Sequence, residues 1–207
     1  MHDHEIQRAL RHLRKQDPVM REVIKKAGPF AMPRRRNRFQ ALVFSILGQQ
    51  ISGKAAAAIR GRLVDHLKPG QISPEAISRL TPETLRSLGI SSQKAGYLLD
   101  LAERVSNGEI RLDRMSRMSD EQVIETLIQV KGIGVWTAQM FLMFSLGRPD
   151  VFPHDDLGVR AAIRNLYELE ELPTKEISHR IAAPWRPYAS VASWYCWRSL
   201  EFKKKPD

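Results

Sequence analysis

Residues 130–138 read VKGIGVWTA, a glycine spacing that suits a backbone site for an anion. Gly132 and Gly134 flank one apolar residue, which favours a tight turn between two helices because glycine enters positive φ at little cost. The helix after the turn begins with N–H groups that lack intrahelical partners. These amides, with the positive end of the helix dipole, can hold a phosphate. A Gly-x-Gly pair alone also fits an ordinary connection between helices.

Two adjacent carboxylates follow, in the sequence FPHDD at residues 152–156. A carboxylate close to a phosphate site can orient or deprotonate an attacking water. Asp155 or Asp156 begins the next predicted helix, and we assign the ordinary role of helix N-cap to Asp155. His154 could be proposed as a base, but we interpret it as a histidine of a surface loop.

The charge of the chain favours a polyanionic partner. Lys and Arg number 33 against 23 Asp and Glu, a net charge of +10 in 207 residues, and such an excess attracts nucleic acid. Cys196 is the only cysteine, which excludes an internal disulfide, a cysteine-rich zinc site and a four-cysteine iron–sulfur cluster. The N-terminus is polar and no apolar run is long enough to span a bilayer, so we expect neither a signal peptide nor a membrane span. We therefore expect an intracellular protein without a membrane partner.

Nearly every segment is predicted to be helical, because apolar residues recur at three- and four-residue spacing. Capping hydroxyls before Pro74 and Pro82 predict two short helices. The basic run at 33–38 is interpreted as a linker or helix entry, and Lys203–Lys205 as a loose tail. The other predicted helices cover residues 4–16, 18–27, 39–47, 54–67, 93–106, 120–129, 137–146 and 156–168, with two more bracketed by Pro173 and Pro184.

Six segments, in this order, resemble the helix–hairpin–helix superfamily of base-excision DNA glycosylases, and within it the 3-methyladenine DNA glycosylase II branch. The resemblance covers roughly residues 15–200. The segments are SILGQQIS at 45–52, LGISSQKA at 88–95, VKGIGVWTA at 130–138, FPHDD at 152–156, WRPYA at 185–189 and Trp194.

The resemblance implies an all-α fold of two helical lobes, with a helix–hairpin–helix motif and a DNA-binding cleft between the lobes. Residues 36–145 would form the central lobe, and residues 1–35 with 146–207 the discontinuous one. Long members of the branch carry an N-terminal β domain. This chain begins with helices and so resembles a short form.

The resemblance also implies a reaction, the hydrolysis of the N-glycosidic bond of alkylated purines such as 3-methyladenine and 7-methylguanine. Asp156 matches the catalytic carboxylate, which would stabilise an oxocarbenium-like state and direct water. Trp136 stands where strand-cleaving members carry a lysine that forms a Schiff base. We therefore expect a monofunctional enzyme without AP-lyase activity.

Trp136, Trp194 and Met140 match positions of the base pocket, where a flipped base is held by stacking and cationic bases gain from electron-rich rings. Core packing is the alternative for both tryptophans. The long members have Tyr at the position of Met140, which changes the shape of the pocket. Gln50 matches the wedge that fills the space of the flipped base. It could instead hydrogen-bond the partner base, or be an ordinary polar residue at a helix end.

The expected partner is double-stranded DNA containing alkylated bases, bound by a monomer in the cytoplasm or nucleoid, or in a eukaryotic nucleus. The resemblance implies no cofactor except a possible Na⁺ or K⁺ on the main-chain carbonyls of Ile128, Val130 and Ile133. A non-catalytic helix–hairpin–helix DNA-binding protein is the alternative, and cleavage through another lysine is a third. The implied DNA contacts are Gln49, Gln50, Ser52, Lys131, Gly132, Ile133, Gly134 and Thr137.

Overall fold

A computed structural model describes residues 3–202, and within this range the secondary structure is entirely helical. The Lys203–Lys205 run lies outside the described residues. No described helix is long and apolar enough to cross a membrane. The α-helices are α1 Asp3–Gln16, α2 Pro18–Ala27, α3 Arg38–Gly48, α4 Gly53–His66, α5 Pro74–Ser78, α6 Pro82–Ser87, α7 Ser92–Ser106, α8 Asp120–Leu127, α9 Val135–Phe141, α10 Leu157–Leu166, α11 Lys175–Ala182 and α12 Ala189–Ser199.

The chain divides into two compact units. One contains the residues up to Arg34 and from Gly147 onward, and the other consists of Arg35–Leu146. The limits that the resemblance implies, 35/36 and 145/146, are each one residue away from these.

The first unit is built on the apolar faces of α1, α2, α10 and α12, with Trp185 and Tyr195 fully buried among them. Asp17 joins these elements through four hydrogen bonds. Its Oδ1 caps α2 by accepting from the amides of Val19 and Met20. Its Oδ2 accepts from Tyr167 Oη at 2.5 Å and from Trp185 Nε1 at 2.8 Å. A single buried carboxylate therefore fixes α2 to the C-terminal part of the unit.

The second unit contains α3–α9. Helix α3 buries Phe39, Leu42, Val43, Ile46 and Leu47, which follow the three- and four-residue spacing that predicts a helix here. The capping hydroxyls are confirmed, since Ser73 and Thr81 accept from amides in the first turns of α5 and α6. Six predicted helices of this unit therefore begin where a side-chain acceptor is available, at residues 37, 52, 73, 81, 91 and 119.

Helix α10 ends at Leu166, before the expected residue 168, and two further helix ends differ from the prediction. The single helix expected over 137–146 is α9 followed by a π-helical turn, Leu142–Leu146, which ends before Gly147 at φ +72°. Helix α8 ends at Leu127, before residue 129, because the backbone turns toward Gly132, which takes φ +81°. Apolar periodicity continues through both ends, so the pattern alone does not reveal where each helix ends.

Candidate active site

Asp156 is a buried carboxylate at the start of α10, only 8% exposed. Its Oδ1 accepts the amide of Val159 at 2.8 Å, so Asp156 is the N-cap of the helix. The assignment of this cap to Asp155 is wrong, since the side chain of Asp155 is 69% exposed and precedes the cap by one residue. The residue matched to catalysis therefore also starts α10.

Trp197, which was not among the predicted site residues, orients this carboxylate. Its Nε1 donates to Asp156 Oδ1 at 2.8 Å. Gly158 leaves room for the contact, since a Cβ there would lie 3.0 Å from Trp197 Cδ1 and 3.1 Å from Asp156 Oδ1. Gly158, in the first turn of α10, is the only local sign in the sequence of the contact between Trp197 and Asp156. It does not indicate which distant side chain needs the space.

His154 is not a surface histidine, because its side chain is only 14% exposed. Its ring lies 5.0 Å from the ring of His179, and its Nε2 lies 3.2 Å from Asp155 Oδ2. Burial lowers the pKa of His154 despite the opposing effect of Asp155. The imidazole is therefore favoured in its neutral form.

Trp194 lies in the core of the first unit, with 8% of its surface exposed. It makes edge-to-face contacts with Phe30 and Tyr195, at ring distances of 4.9 and 4.8 Å. The guanidinium of Arg198 lies 5.9 Å from its ring centre. This environment fits the packing alternative that the sequence left open for Trp194.

The hairpin between α8 and α9 depends on its two glycines in different ways. Gly132 has φ +81°, and a Cβ there would lie 2.1 Å from Tyr97 Cδ2. Gly134 is extended, at φ −97° and ψ 176°, and a Cβ there would meet nothing within 4 Å. Of the two glycines, only Gly132 therefore uses the positive φ that favours glycine in a tight turn. At Gly134, the lack of a side chain leaves the backbone at the N-terminus of α9 open to the approach of a ligand.

The rest of the hairpin is anchored from within the second unit. The amide of Lys131 donates to Asp100 Oδ2 at 2.9 Å, while its Nζ, on a side chain that is 73% exposed, lies 3.9 Å from Asp100 Oδ1. The side chains of Val130, Ile133 and Thr137 are buried. Ile133 and Thr137 therefore hold the hairpin in place by packing, and a DNA contact at either residue is restricted to its main chain.

Trp136 and Met140 are one helical turn apart on α9, so they share a face of the helix. Trp136 is 41% exposed, an unusual amount for a tryptophan, whereas Met140 is 9% exposed. The core-packing alternative does not fit so exposed an indole. Trp136 and Met140 lie in the second unit, and Asp156 and Trp194 lie in the first.

Gln49, Gln50 and Ser52 form the turn between α3 and α4. Gln50 is exposed and has φ 55°, a left-handed conformation that is uncommon outside glycine. Ser52 caps α4 by accepting from the amide of Ala55 at 3.2 Å. Gln49 Nε2 donates to the carbonyl of Gly132 at 2.8 Å. The structure thus joins this turn to the hairpin through Gln49.

The hairpin carbonyls matched to a monovalent cation are main-chain groups of the α8–α9 turn. The carbonyl of Val130 accepts the amide of Ile133 at 3.0 Å, and its second lone pair leaves it able to bind an ion as well. Hard cations prefer such oxygens. Among residues 3–202, no cluster of His, Cys, Asp or Glu could hold a metal.

Comparison with known proteins identifies the family. Residues 43–187, more than half of the chain, match the model of the HhH-GPD superfamily of base excision DNA repair proteins. DNA-3-methyladenine glycosylase 1 of Schizosaccharomyces pombe is 35% identical over 193 residues, which cover 91% of this chain and 85% of the relative. A longer relative from Bacillus subtilis is 41% identical over 128 residues, covering 62% of this chain and 45% of its own length.

A solved structure of an S. pombe 3-methyladenine DNA glycosylase in complex with abasic DNA superposes with a TM-score of 0.88 at 33% identity. The match covers 97% of this chain and 100% of that one. Fold, motif order and sequence identity agree. The chain belongs to the HhH-GPD superfamily of base excision DNA repair proteins.

Proposed function

We propose that the chain is a monofunctional DNA glycosylase that hydrolyses the N-glycosidic bond of 3-methyladenine and 7-methylguanine in duplex DNA. The observation that carries the proposal is the buried carboxylate of Asp156, fixed by Val159 and Trp197 in a chain of this repair family. The names of the S. pombe relative and of the superposed structure support the choice of substrate class.

In the proposed reaction, the bond from C1′ to the base nitrogen breaks, and its electron pair leaves with the base. An N-alkylated purine carries a positive charge in DNA and departs neutral, so it needs no proton from the enzyme. Asp156 stabilises the cationic sugar, and water then forms the new bond to C1′. The proton of that water passes to Asp156 or to solvent. The bonds to Oδ1 hold the carboxylate in one orientation throughout.

The exposed indole of Trp136 supplies a ring on which a flipped cationic base can stack. Met140 lies one turn further along the same face of α9, and we propose that it forms part of the wall against the flipped base. Trp194 is packed in the core of the first unit and exposes only a small part of its ring. A pocket wall with Met in place of Tyr is less selective, because methionine is flexible and makes no directional hydrogen bond.

The absence of lyase activity is proposed from Trp136, because an indole nitrogen cannot form a Schiff base with C1′. Lys131 is exposed and lies beside Asp100, where it suits a phosphate better than a sugar carbon. The product is then an intact strand with an abasic site. With DNA as its substrate, we propose that the protein acts as a monomer in the cytoplasm or nucleoid, or in the nucleus of a eukaryote.

The hairpin is the proposed phosphate clamp. The open backbone at Gly134 allows a phosphate to approach the first amides of α9 closely. Na⁺ or K⁺ bound to the carbonyls of Ile128, Val130 and Ile133 would add positive charge at the same place. Gln50, exposed at the tip of its turn, would enter the space left by the flipped base.

The test is to incubate the protein with methylated duplex DNA and to measure free 3-methyladenine and 7-methylguanine by chromatography. We expect both bases to be released and the strand to stay intact until alkali is added. Borohydride should trap no covalent adduct. Release of neither base would contradict the proposed substrates, and a trapped adduct would contradict the monofunctional mechanism.

A further inference from the structure

Lys94, in the first turn of α7, holds the end of α3. Its Nζ donates to the carbonyl of Leu47 at 3.0 Å and to that of Gln49 at 2.7 Å. Carbonyls at the C-terminus of a helix have no intrahelical partner and carry the negative end of the helix dipole. An ammonium group there satisfies two of them at once, and burial lowers the pKa of Lys94.

The carbonyl of Gln49 belongs to the peptide that leads into Gln50, the residue with φ 55°. A left-handed conformation is unfavourable for a non-glycine residue and persists where the surroundings impose it. The bond from Lys94 Nζ fixes the plane of that peptide. Lys94 therefore fixes the backbone from which the side chain of Gln50 extends.

Gln49 forms the second connection, since its Nε2 donates to the carbonyl of Gly132 in the hairpin. The hairpin in turn lies on α7, where Gly132 packs on Tyr97 and the Lys131 amide bonds to Asp100. Lys94, Tyr97 and Asp100 follow at intervals of three residues, so one face of α7 supports both turns.

We propose that Lys94 and Gln49 are positioning residues that join the hairpin to the Gln50 turn. When the hairpin is bound to a phosphate, this connection places Gln50 at the point of the duplex where the stacked bases must separate. This inference rests on the proposed function, because it presumes a flipped base. Lys94 acts through Gln50 and makes no contact with the reacting atoms.

The first test examines the free protein. ¹⁵N relaxation of the amides of residues 49–51 should give order parameters near 0.85 in the wild type, as for rigid backbone, and below about 0.6 in Lys94→Met. Arg62→Met is the matched control, since Arg62 Nε donates to the carbonyl of Leu88 in a different turn. It should leave these order parameters unchanged. Lys94→Arg, which can still donate to two carbonyls, should restore them.

The second test measures base flipping. Duplex DNA carries 2-aminopurine beside a methylated purine, and every variant also carries Asp156→Asn so that the DNA persists. Binding should raise the fluorescence. Lys94→Met should reduce the flipped population by about 10- to 100-fold, the loss expected for hydrogen bonds from a charged group. Overall affinity should change less, because the hairpin still binds phosphate. In a Gln50→Ala background, Lys94→Met should have almost no further effect.

Unchanged order parameters in Lys94→Met would overturn the inference, and so would an equal loss of flipping with and without Gln50. If Lys94→Met does not fold, Gln49→Met gives the same two tests with Lys94 in place. A wild type that releases no methylated purine would overturn the proposed function instead. The relaxation measurement alone would then test whether Lys94 holds the Gln50 turn.

Discussion

Trp197 donates from Nε1 to Oδ1 of Asp156 at 2.8 Å, and the same oxygen accepts the amide of Val159. The two donors approach from different helices, α12 and α10. The carboxylate is therefore fixed in two directions before any substrate arrives, as a preorganised electrostatic group requires.

Replacing Trp197 by Phe removes one of these donors and keeps most of the ring. We expect kcat for base release to fall by about tenfold or more, with little change in KM, because a hydrogen bond to a charged group contributes about 1.5–3 kcal/mol. Single-turnover kinetics measure this directly. Gly158→Ala should change the rate in the same direction, since its Cβ would lie 3.0 Å from Trp197 Cδ1. A Trp197→Phe rate equal to that of the wild type would show that the bond does not serve catalysis.

The two hairpin glycines should respond differently to alanine. The Cβ of Gly134→Ala would meet nothing within 4 Å, so the free energy of unfolding should change by less than about 1 kcal/mol. DNA affinity should fall by about tenfold, because the same Cβ occupies the open approach to the backbone. Gly132→Ala should destabilise the fold, because φ +81° alone costs about 1–2 kcal/mol and Tyr97 blocks the Cβ. Urea titrations and fluorescence anisotropy on duplex DNA separate the two effects. Gly134→Ala with undiminished affinity would contradict the phosphate clamp.

Asp17→Asn should destabilise the protein by about 2–4 kcal/mol, because the amide NH₂ that replaces Oδ2 cannot accept the hydrogen bonds from Tyr167 and Trp185. Urea denaturation measures the change. Asp65→Asn is the control, since its 2.7 Å pair with Lys68 is exposed and should contribute less than about 1 kcal/mol. Equal losses of stability in the two variants would show that the hydrogen bonds of Asp17 do not stabilise the core of the first unit.

His154 should make stability depend on pH. Burial lowers its pKa in the folded protein, while the unfolded chain takes up a proton near the ordinary value of about 6.5. Its stabilising effect is therefore present above that pH and is lost as pH falls toward the folded-state pKa. In His154→Gln, the free energy of unfolding should fall less steeply between about pH 6.5 and 5. Identical slopes in urea titrations across this range would contradict the assignment of a half-buried, neutral imidazole.

Local signals in the sequence were sufficient for most helices. Ser73 and Thr81 before prolines marked two starts, and the apolar spacing of residues 39–47 marked α3. The start of α10 was misassigned, because Asp155 and Asp156 are both good caps. Only the tertiary structure, in which Trp197 reaches Asp156 from 41 residues away, distinguishes them.

The contacts that complete the candidate site are long-range and leave little trace in a single sequence. Lys94 lies 45 residues from Gln49, and Gln49 lies 83 residues from Gly132. A lysine in the first turn of a helix is ordinarily a solvated residue, and nothing local predicts that it bonds two carbonyls of another helix. The order of the motifs indicated the family, whereas the contacts that position the site residues are visible only in the structure.

The most direct measurement is single-turnover release of 3-methyladenine by the wild type and Asp156→Asn, with duplex binding measured in parallel. Asparagine keeps an oxygen for the Val159 and Trp197 bonds, so the site should stay folded. We predict release at least about 100-fold slower in the variant, with affinity equal to or tighter than that of the wild type. Release by Asp156→Asn at the wild-type rate would contradict the catalytic role of this carboxylate. Tight binding by both proteins with no release by either would identify a DNA-binding protein without glycosylase activity.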